Sequence, residues 1–212
     1  MADELLATDG LMDRRDPYLS VALFRLLAEG APVSPVRLAT RAGRSLDRAG
    51  EWLRAANNAV LDQHGDVVAY HGLDLRPTRH QLEVADRILY AWCAADALGM
   101  PTLLGSPVGV RSSDPVGGGT VRLSLDADQV REVEPGSAVL SMVRPSSAAG
   151  MLEQDEVSGA LAVCGPINLF TSLESGRRFA EQAGSIVLMT VDQGMELLHR
   201  LVRSAFGPAL AR

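Results

Sequence analysis

The sequence predicts an α+β protein in which an N-terminal winged-helix-like three-helix domain precedes a mixed or antiparallel β-sheet domain flanked by helices. Three observations predict this fold. Three helix patterns lie within 17–58, a hairpin pattern surrounds Gly65, and strand and helix patterns alternate after it. The expected boundaries are an N-terminal arm at 1–16, a winged-helix-like domain at 17–78, and an α+β catalytic domain at 79–212 that carries both cysteines.

The first two helices have clear boundaries in the sequence. From Pro17 apolar residues recur at helical spacing, and Gly30 suits the end of that helix. Ser34 followed by Pro35 is typical of a helix start, and Gly43 closes this second, short helix. These signals predict two consecutive helices joined by a short turn.

The third predicted helix spans about 46–58, and its charge pattern bears on DNA binding. Its inward stripe is expected to comprise Leu46, Ala49, Trp52, Leu53 and Ala56. In a DNA-binding winged helix this helix would enter the major groove. Here the charges on the helix cancel, since it carries two acids and two bases: Asp47, Glu51, Arg48 and Arg54. The hairpin adds two further acids, Asp62 and Asp66, which would repel phosphates. A structural or lid role is therefore favoured over DNA binding.

The second half is expected to begin with a helix over about 81–98 that Pro101 ends. Strands are then expected at 108–111, 120–125, 138–143, 160–164, 169–172 and 185–190, and helices at 173–182 and 193–206. The glycines at 117–119 are interpreted as a turn between two strands, since the flanking residues of a phosphate-binding loop are absent from the sequence.

Composition narrows the classes of function. The net charge is −6, and this charge argues against a protein built to bind phosphate backbones. No run approaches the ~20 apolar residues of a membrane span, and the first residues lack a secretory signal. We expect a cytoplasmic protein with neither nucleic acid nor a membrane as partner.

The sequence contains two cysteines, Cys93 and Cys164, and a reducing cytosol disfavours a disulfide between them. On the predicted helix, Cys93 and Asp96 stand at i and i+3 and share one face; an Asp in so apolar a stretch either has a partner or lies at the solvent edge. Cys164 is expected at the end of an apolar strand, directly before a bend at Gly165 and Pro166. Spacing alone leaves two interpretations open, a two-thiol site or two packing residues.

A resemblance to a known family is carried by the segments around these cysteines. The block at 89–98, followed by Pro101 and Leu104-Gly105, resembles the first catalytic segment of the organomercurial (alkylmercury) lyases. Cys164 with the stretch ending at 169–172 is similar to their second segment, and the likeness runs from about residue 16 to 206. Many family members carry further cysteines, in the loop matching Ser112-Ser113-Asp114-Pro115 and at the position of Gly165, and this chain lacks them.

The resemblance implies both a reaction and the residues that perform it. Cys93 would bind the mercury of the substrate as a thiolate, Cys164 would join it, and Asp96 would relay a proton to carbon from an apolar pocket supplied by Trp92, Leu98 and Met100. Two thiols without histidine or carboxylate co-ligands suit Hg(II) better than Zn(II), which takes four ligands. We therefore expect both sulfurs and the Asp96 carboxylate to converge in one pocket.

The partners and cofactors follow from this interpretation. The substrate would be a small organomercurial, and the Hg(II) product would pass to low-molecular-weight thiols or to a mercuric reductase. No cofactor is expected beyond an external thiol reductant. The four histidines lack metal-site spacing and are interpreted as surface or packing residues; they are His64, His71, His80 and His199.

Two other hypotheses remain open. One is a winged-helix regulator that senses a soft metal with the two thiols, which a basic third helix would have favoured. The other is a relative with the same fold that acts on another organometal or a different soft electrophile.

Overall fold

The computed structural model describes residues 14–56, 58–144 and 163–211. Three helices come first: α1 (Pro17–Leu27), α2 (Pro35–Ala42) and α3 (Leu46–Arg54). Each begins at a side chain that accepts a hydrogen bond from the first turn, and these caps are Asp16, Ser34 and Ser45. The predicted starts of the three helices are confirmed.

An eight-stranded antiparallel sheet follows and forms the centre of the fold. Its strands are β1 (Ala59–Leu61), β2 (Val67–Tyr70), β3 (Leu73–Asp74), β4 (His80–Val84), β5 (Arg87–Ala91), β6 (Val108–Ser113), β7 (Thr120–Leu125) and β8 (Val130–Glu134). Their order is β1-β2-β3-β5-β4-β6-β7-β8, so the β1–β2 hairpin continues into the same sheet as the rest. The predicted hairpin around Gly65 is confirmed. The predicted boundary between residues 78 and 79 falls between β3 and β4 and stays a prediction.

The remaining elements cover this sheet and build a smaller one. Helix α4 (Ala94–Leu104) connects β5 to β6, and the strands β9 (Val139–Val143), β10 (Leu169–Phe170) and β11 (Ile186–Thr190) form a three-stranded antiparallel sheet. Helices α5 (Leu173–Ala183) and α6 (Val191–Leu210) complete the chain. Helix α4 is buried on nearly all sides between the sheet, α1 and α6. The described part of the chain contains no helix long and apolar enough to cross a membrane.

The predicted helix over 81–98 is wrong in its first two thirds. Residues 80–91 form the β4–β5 hairpin, whose turn is made by Ala85 at φ +54° and by Asp86. Strand β4 alternates buried and exposed residues, the period of two that defines a half-buried strand. The helix begins only after Cys93, and it continues through Pro101 to Leu104 rather than ending there.

Other predictions differ in smaller ways. Helix α3 ends at Arg54, four residues before the expected end, and Leu46 is 51% exposed although it was expected in the inward stripe. The predicted strand over 160–164 is wrong at its two described residues, Val163 and Cys164, which are helical; its other residues lie outside the described ranges. Neither the short strand β3 nor the strand β8 was predicted from the sequence.

Candidate active site

Cys93 is placed by the junction between β5 and α4. Its backbone is extended, at φ −143° and ψ 173°, and it is the N-cap residue of α4. Asp96 occupies the third position of the helix, and its carboxylate accepts a hydrogen bond from the backbone N–H of Cys93 at 3.1 Å. This capping box aims both side chains at the same space in front of the helix N-terminus.

Cys164 reaches this space from the other side, in the turn that leads into β10. The backbone N–H of Ile167 donates to the Cys164 carbonyl at 3.0 Å, and the N–H of Ala94 donates to the Ile167 carbonyl at 3.2 Å. The second bond ties the turn directly to the first residue of α4. The two cysteines, far apart in sequence, are thus held together by the backbone as well as by packing.

The three predicted site residues converge as expected. One ligand atom from each of Cys93, Asp96 and Cys164 lies within 4.8 Å of the other two. The Cys164 thiol donates a hydrogen bond to Asp96 Oδ2 over 3.7 Å. Two sulfurs at this separation can bind one ion between them, and a pair of thiols suits a soft metal of low coordination number.

The pKa of the Asp96 carboxyl group is raised toward neutrality. Burial raises the pKa of Asp96 to about 6, although hydrogen bonds from the Cys93 side chain and backbone and from Cys164 act in the opposite direction. Such a group exchanges a proton readily at physiological pH, as general acid–base catalysis requires.

The two thiols hold their protons more firmly than free cysteine does. Burial raises the pKa of Cys93 well above its usual value, and the neighbouring Cys164 and Asp96 add to the rise. For Cys164 the largest single influence is the hydrogen bond with Cys93, which lowers its pKa. Burial and the Asp96 charge outweigh this, so that the pKa of Cys164 is raised as well. Before a metal arrives, the site therefore holds two neutral thiols beside one carboxyl group.

Gly72 forms the wall against which the Asp96 carboxylate rests, and sequence reasoning missed it as a site residue. An ideal Cβ placed on Gly72 would lie 2.1 Å from Asp96 Cγ, so no side chain fits there. Its backbone is at φ +92°, which also favours glycine, and its carbonyl accepts a hydrogen bond from the N–H of Trp92. The sequence signal was a glycine two residues after a strand, which indicates a turn but not which side chain packs against it.

Of the three residues expected to make the surroundings of Asp96 apolar, Met100 lines a small cavity that borders the carboxylate, whereas Trp92 and Leu98 are not in its walls. The indole N–H of Trp92 donates to Asp74 Oδ2 at 2.9 Å and is thereby turned toward β3. His71, expected to be a surface or packing residue, lines the same cavity as Met100.

Comparison with known proteins identifies the family to which this site belongs. A family model described as alkylmercury lyase matches residues 73–203, and one described as the helix-turn-helix domain of alkylmercury lyase matches residues 2–71. The alkylmercury lyase of Staphylococcus epidermidis is 34% identical over 180 residues, which cover 85% of this chain and 79% of that protein. The chain belongs to the alkylmercury lyase family.

Further relatives and a solved structure agree with this membership. The alkylmercury lyase of Streptomyces lividans is 33% identical over 181 residues, 85% of this chain and 80% of that protein. The crystal structure of the mercury-bound form of MerB2 superposes with a TM-score of 0.72 at 20% identity, covering 97% of this chain and 96% of that one. At this identity the superposition shows a shared fold, and the alkylmercury lyase fold is confirmed for the N-terminal helices as well as for the sheet.

The loop between β6 and β7 is anchored by the carboxylate of Asp114. Asp114 is buried, and its two oxygens accept hydrogen bonds from five groups: the backbone N–H of Val116, Gly117 and Thr171 and the hydroxyls of Thr171 and Ser175. Burial alone would raise the pKa of Asp114, but these bonds lower it to about 2. This carboxylate fixes the β6–β7 loop to the start of α5.

Proposed function

We propose that this protein cleaves the carbon–mercury bond of organomercurials by protonolysis, with Cys93 and Cys164 binding mercury and Asp96 carrying the proton. The observation that carries the proposal is the convergence of two sulfurs and one carboxylate within 4.8 Å at the N-terminus of α4. The organomercurial and its mercury are substrate, and no resident cofactor is required by this mechanism.

The exposure of the thiols suggests the order in which they meet mercury. Cys93 is only 2% exposed, whereas Cys164 is partly open to solvent. A substrate R–Hg–X arriving from solvent therefore meets Cys164 first, and Cys93 joins from the interior. This is the reverse of the order that the family resemblance implies.

The step balances in atoms and charge. The first thiol displaces X, and its proton leaves with X as HX. The second thiol gives its proton to the Asp96 carboxylate as its sulfur binds mercury, and Asp96 then gives this proton to carbon. The C–Hg bond breaks, a C–H bond forms, and the products are RH and Hg(II) held by the two thiolates, with Asp96 again a carboxylate.

Protein groups assist at two points. Two thiolate bonds raise the electron density at mercury and weaken its bond to carbon, and the pKa of Asp96 at about 6 lets it take up and release the proton near neutral pH. The positive end of the α4 dipole lies beside the thiolates and stabilises the negative charge that forms there. Removal of Hg(II) falls to low-molecular-weight thiols or to a mercuric reductase, because two bound thiolates hold the ion tightly.

The decisive experiment measures hydrocarbon release from methylmercury and phenylmercury chloride in the presence of excess thiol, by headspace gas chromatography. We expect methane and benzene with turnover from the wild type, and none from Cys93→Ala, Cys164→Ala or Asp96→Asn. The matched control is Asp86→Asn, since the Asp86 side chain is 90% exposed and lies in the β4–β5 turn. Its activity should equal that of the wild type.

The single-thiol variants also test the order of binding. Without free thiol, Cys93→Ala should form a stable adduct with phenylmercury at Cys164, seen by intact-protein mass spectrometry, and should do so faster than Cys164→Ala forms one at Cys93. Equal rates would contradict the proposed order. A wild type that binds mercury but releases no hydrocarbon would contradict the proposed function and would favour a metal-responsive regulator or a relative with another substrate.

A further inference from the structure

An apolar cavity of about 50 Å³ borders Asp96 between helices α1, α4 and α6. Its apolar walls include Phe24, Met100, Leu103, Leu198, Val202 and Phe206. Among the described residues that line it, Asp96 and His71 are the two with ionisable side chains. The cavity is thus an apolar space whose wall carries the acid of the site.

The cavity and the thiols lie against the same carboxyl group. Asp96 Oδ2 contacts the Cys164 thiol and the backbone of Cys93, while neither cysteine lines the cavity. Mercury held by the two sulfurs has its organic carbon beside Asp96, because the proton must pass from the carboxyl group to that carbon. The organic group is apolar and is stabilised by leaving water, and the cavity is an apolar space that borders the acid.

We propose that this cavity receives the organic group of the substrate, with mercury on the thiol side of Asp96 and the hydrocarbon on the cavity side. This inference rests on the proposed carbon–mercury cleavage and adds the determinant of substrate size. A dry cavity of about 150 Å³ holds a benzene molecule. The cavity here is far smaller, so it accepts a methyl or ethyl group as it stands, and a phenyl ring requires its walls to move.

Two substitutions change the size of the cavity in opposite directions. Met100→Ala removes a long side chain from the wall and enlarges it. Gly99→Ala adds a methyl group that would meet Val202 Cγ2 at 3.6 Å, an ordinary contact, so the variant narrows the cavity without disturbing the fold. Because Ala also favours a helix over Gly, this second variant should remain folded even if the first is destabilised.

Each variant has a matched control elsewhere in the helices. Met195 in α6 is 1% exposed, as Met100 is, but does not line the cavity, so Met195→Ala controls for the loss of a buried methionine. Gly50 lies in α3 with nothing within 4 Å of an added Cβ, and Gly50→Ala therefore controls for the added methyl group.

The experiment compares kcat/KM for phenylmercury and methylmercury chloride across these proteins. One or two methylene groups of space change such a ratio by about 10-fold or more. We expect Met100→Ala to raise the phenyl-to-methyl ratio by roughly that factor, Gly99→Ala to lower it by a similar one, and the two controls to leave it unchanged.

The outcomes separate this inference from the proposed function. If the wild type cleaves both compounds and the ratio is unchanged in Gly99→Ala and Met100→Ala, the cavity does not hold the organic group, while carbon–mercury cleavage stands. A change of the same size in Met195→Ala or Gly50→Ala also overturns the inference. If the wild type releases no hydrocarbon from either compound, the proposed function fails, and the inference that depends on it fails too.

Discussion

The half-buried Asp96 and the buried Asp114 have pKa values shifted in opposite directions, and their effects on stability should differ in sign. The pKa of Asp96 is raised to about 6 by burial, so the folded protein binds a proton there more readily than the unfolded chain does. Asp96 therefore disfavours folding once the pH rises through the window from about 4 to 6. The pKa of Asp114 is lowered to about 2, so it contributes stability above about pH 4 that is lost as the pH falls toward 2.

Substitution by Asn should expose this difference. At pH 7 we expect Asp96→Asn to raise the free energy of unfolding by about 1–3 kcal/mol and Asp114→Asn to lower it by a similar amount. The gain in stability of Asp96→Asn should disappear by about pH 4, and the loss of stability of Asp114→Asn should shrink as the pH falls toward 2. Urea unfolding at a series of pH values measures both; a destabilised Asp96→Asn at pH 7 would contradict the assigned shift. A gain in stability on substitution of Asp96 would indicate that this residue serves catalysis at a cost in stability.

Gly72 offers a second test at the scale of one residue. Gly72→Ala should displace the Asp96 carboxylate and lower kcat for C–Hg cleavage by about 100-fold, since a shift of ~1 Å at a reacting group has that effect. Binding of Hg(II) by Cys93 and Cys164 should persist, as judged by thiol titration.

The control for this variant is Gly65→Ala. Gly65 has nearly the same backbone angle, φ +82° against +92°, but nothing lies within 4 Å of an added Cβ. Both variants carry the backbone strain of a side chain at positive φ, about 1–2 kcal/mol. If the two lost activity equally, strain rather than contact with Asp96 would be the cause, and Gly72 would have no positioning role.

Among the elements, the segment from Cys164 to Asn168 depends on one buried hydroxyl in β9. Ser141 Oγ donates to the Pro166 carbonyl at 2.7 Å and accepts from the Asn168 N–H at 2.9 Å. Ser141→Ala leaves that N–H without its acceptor, at a cost of about 1–3 kcal/mol, and loosens the turn that carries Cys164.

We expect Ser141→Ala to lower kcat/KM for methylmercury by about 10-fold, because mercury must be held by both thiols before carbon is protonated. Ser137 provides the control, since its exposed hydroxyl bonds the Thr171 carbonyl, outside this segment. Ser137→Ala should retain full activity. Unchanged kinetics in Ser141→Ala would show that the turn holds Cys164 without this hydroxyl.

The elements also show why sequence reasoning succeeded at the site while it failed locally. Residues 81–91 were predicted to be helical from their sequence pattern, yet β4 alternates with a period of two. Cys93 and Asp96 still share a face, because the N-cap and the third helical residue meet in a capping box as residues one turn apart do within a helix. The i to i+3 spacing therefore predicted correctly that Cys93 and Asp96 are neighbours, although the helix begins only after Cys93.

What the sequence did not predict are contacts between distant segments. The approach of Gly72 to Asp96 joins the β2–β3 turn to the start of α4, and no local pattern encodes it. The cavity depends in the same way on three helices that meet only in the folded chain. By contrast, the cap at Ser34 and the turn at Gly65 are local, and both were predicted from residue type.

At the scale of the whole molecule, the helix-turn-helix part and the rest share one sheet and one active site. Strand β3 pairs with β2 on one side and with β5 on the other, so the eight strands run without a break from the hairpin to β8. Gly72 and His71 sit at this junction and form walls around Asp96. Phe24 of α1 lines the same cavity, so the N-terminal part of the chain contributes to the surroundings of Asp96.

The Hg(II) product should make the whole molecule more stable, because it joins two distant parts of the chain. Cys93 and Cys164 belong to segments on either side of β6 to β9, and a thiolate–Hg–thiolate bridge closes that stretch into a loop. Closing a loop of this length removes entropy from the unfolded chain worth about 4 kcal/mol, as a disulfide does. One equivalent of HgCl2 should therefore raise Tm by roughly 10 °C.

Cys164→Ala still binds mercury through Cys93 but forms no bridge, so its Tm should not rise. Excess dithiothreitol should return the wild type to its original Tm by removing the ion. A rise of equal size in Cys164→Ala would mean that mercury stabilises the fold through one thiol, and that the two sulfurs do not share the ion.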